Sequence, residues 1–493
     1  MENVTLKKRY GLFTAICMVV GIVIGSGVFF KAQAILGHVG GNMWLGILSW
    51  VICGAAMVLC AYTFGNFATR YVKVNGVVDY AEAIVGERYA YMTGWFVSTI
   101  YFPAMTSVLA WVSARYTLAL FYGIDHPENF TSGTCMALGA FYLGLAYVIN
   151  MISPKIAGKF QVSATVIKLI PLGIMAIVGT VAGLANGNTI DAFAGAGITE
   201  TTTGTGGFGA VLRGIAAAAF AYEGWIIATS INAEVRDSKR NLPRALVGGT
   251  VLIVVVYVAY FIGLTGGADV STLMTAGAPQ AFLNLFGKFG GTILNVCIVI
   301  SCLGTLNGLM LATTRSLYSV AVRGHGPAPR VMAQIDPATN MPSNSGVVAL
   351  GICAAWFAYF FLANMSPISA KPVEIFGLFS FDSSELPVIT IYAIYIPIFL
   401  LFILKEGKKA RGVRSVLHNI VMPALALLAS LFMVAVAILA HGVFPYQDAA
   451  KDGKFSFPVL FYLIVFAVIM GIGAIFYKSR KKNTEPTPTK DGE

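Results

Sequence analysis

Gly25, Ser26, Gly27 near the start of the chain, and Phe220, Ala221, Tyr222, Glu223, Gly224, Trp225 halfway along it, interrupt stretches otherwise apolar enough to cross a bilayer. Each run sets glycine or a carboxylate where a spanning helix ought to be unbroken. Backbone released from helical hydrogen bonding survives at membrane depth only where protein buries it or where it lines a cavity, so both interruptions are expected to face a solute. That pattern points to a transporter rather than to a channel or an anchor.

Composition sets the class around these two runs. Of 493 residues, 57% are hydrophobic and only 11% charged, and the mean hydropathy is +0.77; a soluble domain cannot hide that much apolar surface from water. Stretches of about 20 apolar residues, the length a bilayer core requires, fall near 11–30, 42–62, 89–121, 135–153, 157–185, 207–231, 246–265, 290–320, 345–363, 375–404, 419–440 and 457–477. The expected fold is an all-α polytopic membrane protein of about twelve spans. The first span follows Lys7, Lys8 and Arg9 without a small-residue cleavage site, so it reads as a mature helix and no signal peptide is needed. With both termini inside, inner segments hold roughly 24 of the 33 Lys and Arg and outer loops about 5, which favours cytoplasmic termini in a plasma membrane. The net charge of +11 therefore reports topology and contact with anionic membrane lipid, and implies no nucleic acid.

Cysteine and histidine carry little chemistry. Six of the seven cysteines lie within spans, which leaves neither a disulfide framework nor a zinc pattern, so no metal and no cofactor is expected. No paired acids or activated nucleophile occur at a suitable spacing, so an enzyme is not expected either. The chain divides into a cytoplasmic tail 1–10, spans one to five at 11–185, an outer loop 186–206, spans six to ten at 207–404, an inner loop with spans eleven and twelve at 405–477, and a disordered cytoplasmic tail 478–493. The broken first and sixth spans hold corresponding places in two five-helix halves, as an inverted repeat requires.

The breaks suggest a substrate. Gly25 and Gly27 lack side chains, so a carboxylate can approach the peptide N–H groups there, helped by the positive end of a half-helix. Ser26 adds a hydroxyl donor. In the sixth span the unwound carbonyls from Phe220 through Ala221 and Tyr222 to Glu223, next to Gly224, can accept from an ammonium. A donor side facing an acceptor side fits a zwitterionic amino acid. The plainer reading is that Gly25 and Gly27 merely let helices pack closely.

These residues also carry a likeness. The run Gly25, Ser26, Gly27, Val28, Phe29 resembles the first-helix signature of the amino acid/polyamine/organocation superfamily, and Phe220 to Trp225 resembles its sixth-helix signature. Further motifs follow in order: Ile149 and Asn150 with Lys155, Gly158, Gln161, Thr165, Lys168, Leu169 and Pro171; Glu234 with Asn241, Leu242, Pro243, Arg244, Ala245; and Leu306, Asn307, Gly308 with Arg315 and Tyr318. Together they are most similar to the L-type amino acid transporter family. The resemblance implies a five-plus-five inverted repeat of the LeuT type with helices 1 and 6 discontinuous. It implies that substrate carboxylate meets Ser26 and Gly27 and that ammonium meets carbonyls at Val23, Phe220 and Glu223. The chain departs from the family pattern at Ala32, at Val72 and Asn75 with Gly76, and at Val322 and Arg323.

Lys168 and Glu223 are costly groups inside spans. Translocon scales put a lysine at a helix centre at roughly 2.5–3.5 kcal/mol, so a partner or a wet cavity is expected. The resemblance implies that the Lys168 ammonium stands where sodium sits in ion-coupled relatives and braces the first break, which implies sodium-independent transport; snorkelling to the inner surface is the alternative. Glu223 has several readings: a reader of a second substrate ammonium, a proton carrier, a partner of Lys or Arg in one gating state, or an acid bonded to backbone. Glu385 in the tenth span poses the same question. Tyr101 and Trp225 are pocket or gate candidates, though an aromatic at helical spacing is often core, and Asn307 either reaches the cavity or bonds another helix. The expected function is a secondary transporter of L-amino acids, chiefly neutral ones, exchanging by alternating access without an obligate protein partner. A basic amino acid or polyamine antiporter, with or without proton coupling, and a non-transporting membrane sensor are the rivals.

Overall fold

The computed structural model describes residues 11–25, 27–71, 76–123, 132–152, 154–199, 206–227, 229, 235–365 and 380–481. Ser26, the tail 1–10 and the end of the chain from 482 on therefore lie outside the described residues, as do Val72, Asn75 and Glu234. Among the described residues eleven helices are long and apolar enough to span a bilayer, and a bent pair near the N-terminus makes a twelfth. The chain is thus an all-α polytopic membrane protein.

The bent pair is α1 (Leu12–Val23) and α2 (Gly27–His38), whose axes differ by 52°. Then come α3 (Met43–Arg70), the short α4 (Val77–Ile84), α5 (Glu87–Tyr122), α6 (Gly133–Ile152), and α7 (Pro154–Ile174), which runs on helically to Ala185. A short α8 (Asn188–Ala194) precedes α9 (Gly206–Ala221) and α10 (Ser238–Leu264). The rest are α11 (Val270–Thr275), α12 (Gly277–Val322), α13 (Ser343–Ala363), α14 (Leu386–Glu406), α15 (Val413–Lys451) and α16 (Pro458–Lys481).

Burial orders these helices from centre to rim. The most apolar window of α5 is wholly buried, and that of Gly207–Ile227 is 89% buried, whereas the windows in α15 and α16 are only 28% and 17% buried. The two central spans therefore see protein, and the last two see lipid. Being shielded, α5 tolerates hydroxyls: Thr106 and Ser113 each donate to the carbonyl four residues back, at 2.7 Å. On α7 the exposed Val166, Ile170, Ile177, Val181 and Leu184 form the opposite case, an apolar face with no protein over it. Around α1, α2 and α9, the neighbours are α3, α7, α10, α11, α12, α14 and α15, with α2 packed on α9 and α1 on α10.

Several elements differ from their expected bounds. The tenth span was expected from 375, but the helix starts at Leu386: Asp382 accepts from the Ser384 amide at 2.6 Å and from its hydroxyl, an alternative to helical pairing, and Pro387 then suits a first turn. The eighth was expected at 290–320, yet helix extends back to Gly277, broken at Gly287 with φ of +69°. The glycine-rich outer stretch carries α8 between the left-handed Gly187 and Gly195. The helix of the last span also continues to Lys481, into what composition suggests is tail.

Candidate functional site

The site begins with α1 stopping in mid-bilayer. Its last carbonyls lose their helical partners, and two of them, those of Gly21 and Val23, find others. Ile24, in extended conformation, closes the turn with its amide on Val20 oxygen at 2.8 Å. The Lys168 ammonium of α7 donates to the Gly21 carbonyl, which a continuing helix would pair with the amide of residue 25. The Tyr257 hydroxyl of α10 lies 3.3 Å from the Val23 carbonyl. A cation at a helix C-terminus also meets the negative end of the dipole, so Lys168 is suited to its place on two counts.

The second break is built differently. After α9 the chain turns through Tyr222, Glu223 and Gly224, then tightens into a 3₁₀ turn over 225–227. Gly224 has φ of +99°, a conformation that disfavours any side chain. The Tyr222 amide is shared between the carbonyls of Ala218 and Ala219, both at 3.3 Å, and the Glu223 amide reaches Phe220 oxygen only at 3.5 Å. Tyr257 also donates to the Ala221 carbonyl at 3.0 Å, so one hydroxyl spans both broken helices. The breaks touch directly as well: a Cβ on Gly27 would stand 2.8 Å from Ala221 Cα.

A cavity of about 190 Å³ lies where they meet. Its wall takes Val23, Gly25 and Gly27 from the first break, Phe220, Ala221, Glu223 and Gly224 from the second, Met105 and Leu109 from α5, and Thr305 and Ala312 from α12. Liquid water takes ~30 Å³ per molecule and drug-sized pockets run to roughly 300–1,000 Å³, so the space suits a small solute. Its polar groups are few. Glu223 Oε2 accepts from the Tyr101 hydroxyl, while Oε1 is buried and has no partner among the described residues. Tyr101 ends a π-helical turn, Val97–Tyr101, a local widening common at functional sites; the Thr99 carbonyl in that turn accepts from Trp356 Nε1 at 2.9 Å.

The other candidates stand elsewhere. Tyr222 packs on Trp50 and Tyr257, with ring centroids 5.5 and 5.1 Å away, and Trp225 packs on Phe64 and Tyr395; neither lines the cavity. Asn307 bonds to Asn150, whose Nδ2 donates to its side-chain oxygen at 2.9 Å and to its carbonyl at 3.0 Å. Glu385 lies beside the α2 break: Oε1 pairs with Lys31 at 2.6 Å, and Oε2 lies 3.0 Å from His441 Nε2. Lys31 is 3% exposed and also sits over the rings of Phe30 and Phe220, themselves in edge contact at 5.4 Å. These contacts reach the cavity through Phe220, which lines it, and Ile22, Ile227, Gly308 and Leu309 complete the lining.

Sequence reasoning missed Lys31, Tyr257 and Thr305. Lys31 and Tyr257 did leave a signal, since an ammonium or a phenol deep in an apolar span needs a partner. Thr305 left none, because a threonine in a helix satisfies itself on the preceding turn, as this one does on Ser301 oxygen at 3.0 Å.

A span bent by 52° between α1 and α2, and a second whose helix gives way at Tyr222, meet around one small cavity, the build of a multi-pass membrane carrier of small solutes. The chain belongs to the amino acid permease family, whose model matches residues 10–475. It is similar to the serine/threonine exchanger SteT of Bacillus subtilis, 28% identical over 446 residues, covering 89% of this chain and 93% of that one. It is also similar to the human cystine/glutamate transporter, 26% identical, covering 69% of this chain and 66% of that one. The mouse Asc-type amino acid transporter 1 is 28% identical, covering 69% and 63% respectively. The family and these relatives are transporters, and this chain is an amino acid transporter rather than an enzyme.

Proposed function

We propose that the protein is a sodium-independent exchanger of small neutral L-amino acids that works by alternating access in the plasma membrane, with both termini cytoplasmic. The observation that carries this reading is the single cavity of about 190 Å³ shared by both breaks, with glycine on one wall and loosened backbone on the other. The substrate carboxylate would meet the start of α2 at Ser26 and Gly27, and its ammonium the carbonyls of the second break beside Glu223. Lys168 supplies a fixed positive charge at the end of α1, which is why no sodium is needed. Spans 11–185 and 207–404 form two inverted halves, and the pairing of Lys31 with Glu385 latches the outer side in this conformation. The name of the bacterial relative, a serine/threonine exchanger, agrees with a small neutral substrate and with exchange. The chain needs lipid around it and no obligate partner subunit.

The test is uptake of labelled serine into proteoliposomes. Uptake should rise several-fold when unlabelled serine is inside and stay the same with or without a sodium gradient; stimulation by sodium, or no dependence on internal amino acid, would overturn the reading. A second reading rests on Glu223, whose Oε1 is buried and has no partner among the described residues. It suits a substrate with an extra cationic group, and competition by arginine or putrescine that exceeds competition by leucine would favour it. Absence of counterflow with retained binding would instead favour a sensor.

A further inference from the structure

A second cavity, of about 790 Å³, lies away from the breaks, at the base-rich end of the bundle. Three elements form it: the last turns of α3, the first turns of α10, and the connection that leads from α14 into α15. Four guanidinium groups line it, those of Arg70, Arg244, Arg411 and Arg414, and no carboxylate does. Arg70 is already engaged, with one nitrogen 2.7 Å from Glu406 Oε2 and another on Asn419. Arg244, Arg411 and Arg414 are exposed and form no ion pair among the described residues. Unpaired like charges around one hollow repel each other, and an anion between them relieves that.

The wall behind these arginines is firm. Tyr62 stacks on His418 with ring centroids 5.6 Å apart and meets its Nδ1 at 2.9 Å, and Asn66 Nδ2 donates to the His418 carbonyl at 2.7 Å. From the rim, apolar side chains run along the outside of the bundle: Leu417 and Val421 on α15, and Val251, Leu252 and Val255 on α10, all 40% exposed or more. An arginine-lined hollow that opens onto an apolar strip is the shape of a lipid with its headgroup and chains, whereas a free anion has no use for the strip.

We propose that this cavity is a binding site for the phosphate headgroup of an anionic phospholipid of the inner leaflet, its acyl chains lying along α10 and α15. Basic pockets between spans on the cytoplasmic side are suited to such headgroups, and three guanidiniums can offer paired donors to phosphate oxygens. The site does not depend on which amino acid is carried.

The test is native mass spectrometry of the purified full chain titrated with dioleoylphosphatidylglycerol, dioleoylphosphatidylcholine or inorganic phosphate. The glycerol lipid should be retained in preference to the choline lipid, and millimolar phosphate should not displace it. Replacing Arg244, Arg411 and Arg414 together by Gln should weaken retention by about 100-fold, at a contribution per basic group typical of anionic membranes. An equal loss of charge outside the cavity, at Lys239, Arg240 and Lys408, should change it less than threefold. Arg411→Gln with Arg414→Gln alone, at the exposed entry to α15, should give about 20-fold and serves if the triple variant does not fold. Retention unchanged in the double variant, equal retention of both lipids, or displacement by inorganic phosphate would each overturn the proposal.

Discussion

Gly27 and Tyr257 show how little material joins the two breaks. A methyl on Gly27 would press on Ala221 Cα at 2.8 Å, on backbone that has no free end to swing aside. Forced overpacking costs about 1–3 kcal/mol, so Gly27→Ala should reach the membrane yet transport at least tenfold more slowly, measured as initial uptake per purified transporter. Tyr257→Phe keeps the ring and its packing but leaves the Val23 and Ala221 carbonyls without the hydroxyl. The expected loss is about 1 kcal/mol of stability, seen as a lower midpoint in thermal unfolding, together with a several-fold higher KM for serine. An unchanged KM with a lowered midpoint would reduce Tyr257 to a structural clasp.

Among elements, the end of α1 leans on α7 through Lys168. Lys168 reaches the Gly21 carbonyl at the point where α1 ends, so Lys168→Met should preserve the length of the side chain while removing both the donor and the charge. The expected result is a folded, monodisperse protein with uptake at least tenfold lower that added sodium does not restore. Full activity in this variant would show that the end of α1 holds without the ammonium. On the opposite side, α2 is tied to the start of α14 by Lys31 and Glu385, both nearly excluded from solvent. Breaking one member of a buried pair costs about 3–5 kcal/mol, whereas removing both members costs far less. Glu385→Gln and Lys31→Met should therefore each lower the unfolding midpoint more than the double variant does, and a double variant no better than either single would deny the coupling.

For the whole molecule, the distribution of bases demands one orientation. Val413, 88% exposed at the start of α15, and Lys454, between α15 and α16, lie at opposite ends of a span. In a background where the seven native cysteines are replaced, Lys454→Cys should react with an impermeant thiol reagent in intact cells, and Val413→Cys only after permeabilisation. The reverse pattern would invert the topology and move the arginine cavity to the outer leaflet.

Most of the architecture was legible along the chain because hydropathy and helix breaking are properties of short segments measured against a fixed bilayer thickness. Twelve spans, the interruption at Gly25 to Gly27 and the interruption at Phe220 to Trp225 needed no knowledge of neighbours. Gly224 announced its own turn in the same way. Side-chain partners were a different matter, since a buried polar atom can be satisfied by any helix that happens to lie within reach. Tyr222 and Trp225 belong to the second break in sequence, yet the packing of α3 and α14 draws their rings into an aromatic cluster away from the cavity. Asn307 was left between cavity and neighbour until α6 brought Asn150 against it. Lys31 and Glu385 stand 354 residues apart, and Arg70, Arg244 and Arg414 come from three separate segments. The one-dimensional pattern determined where the chain crosses and where it opens; only the packed bundle decided which distant groups meet at those openings, because proximity between helices is set by the shape of all their faces together.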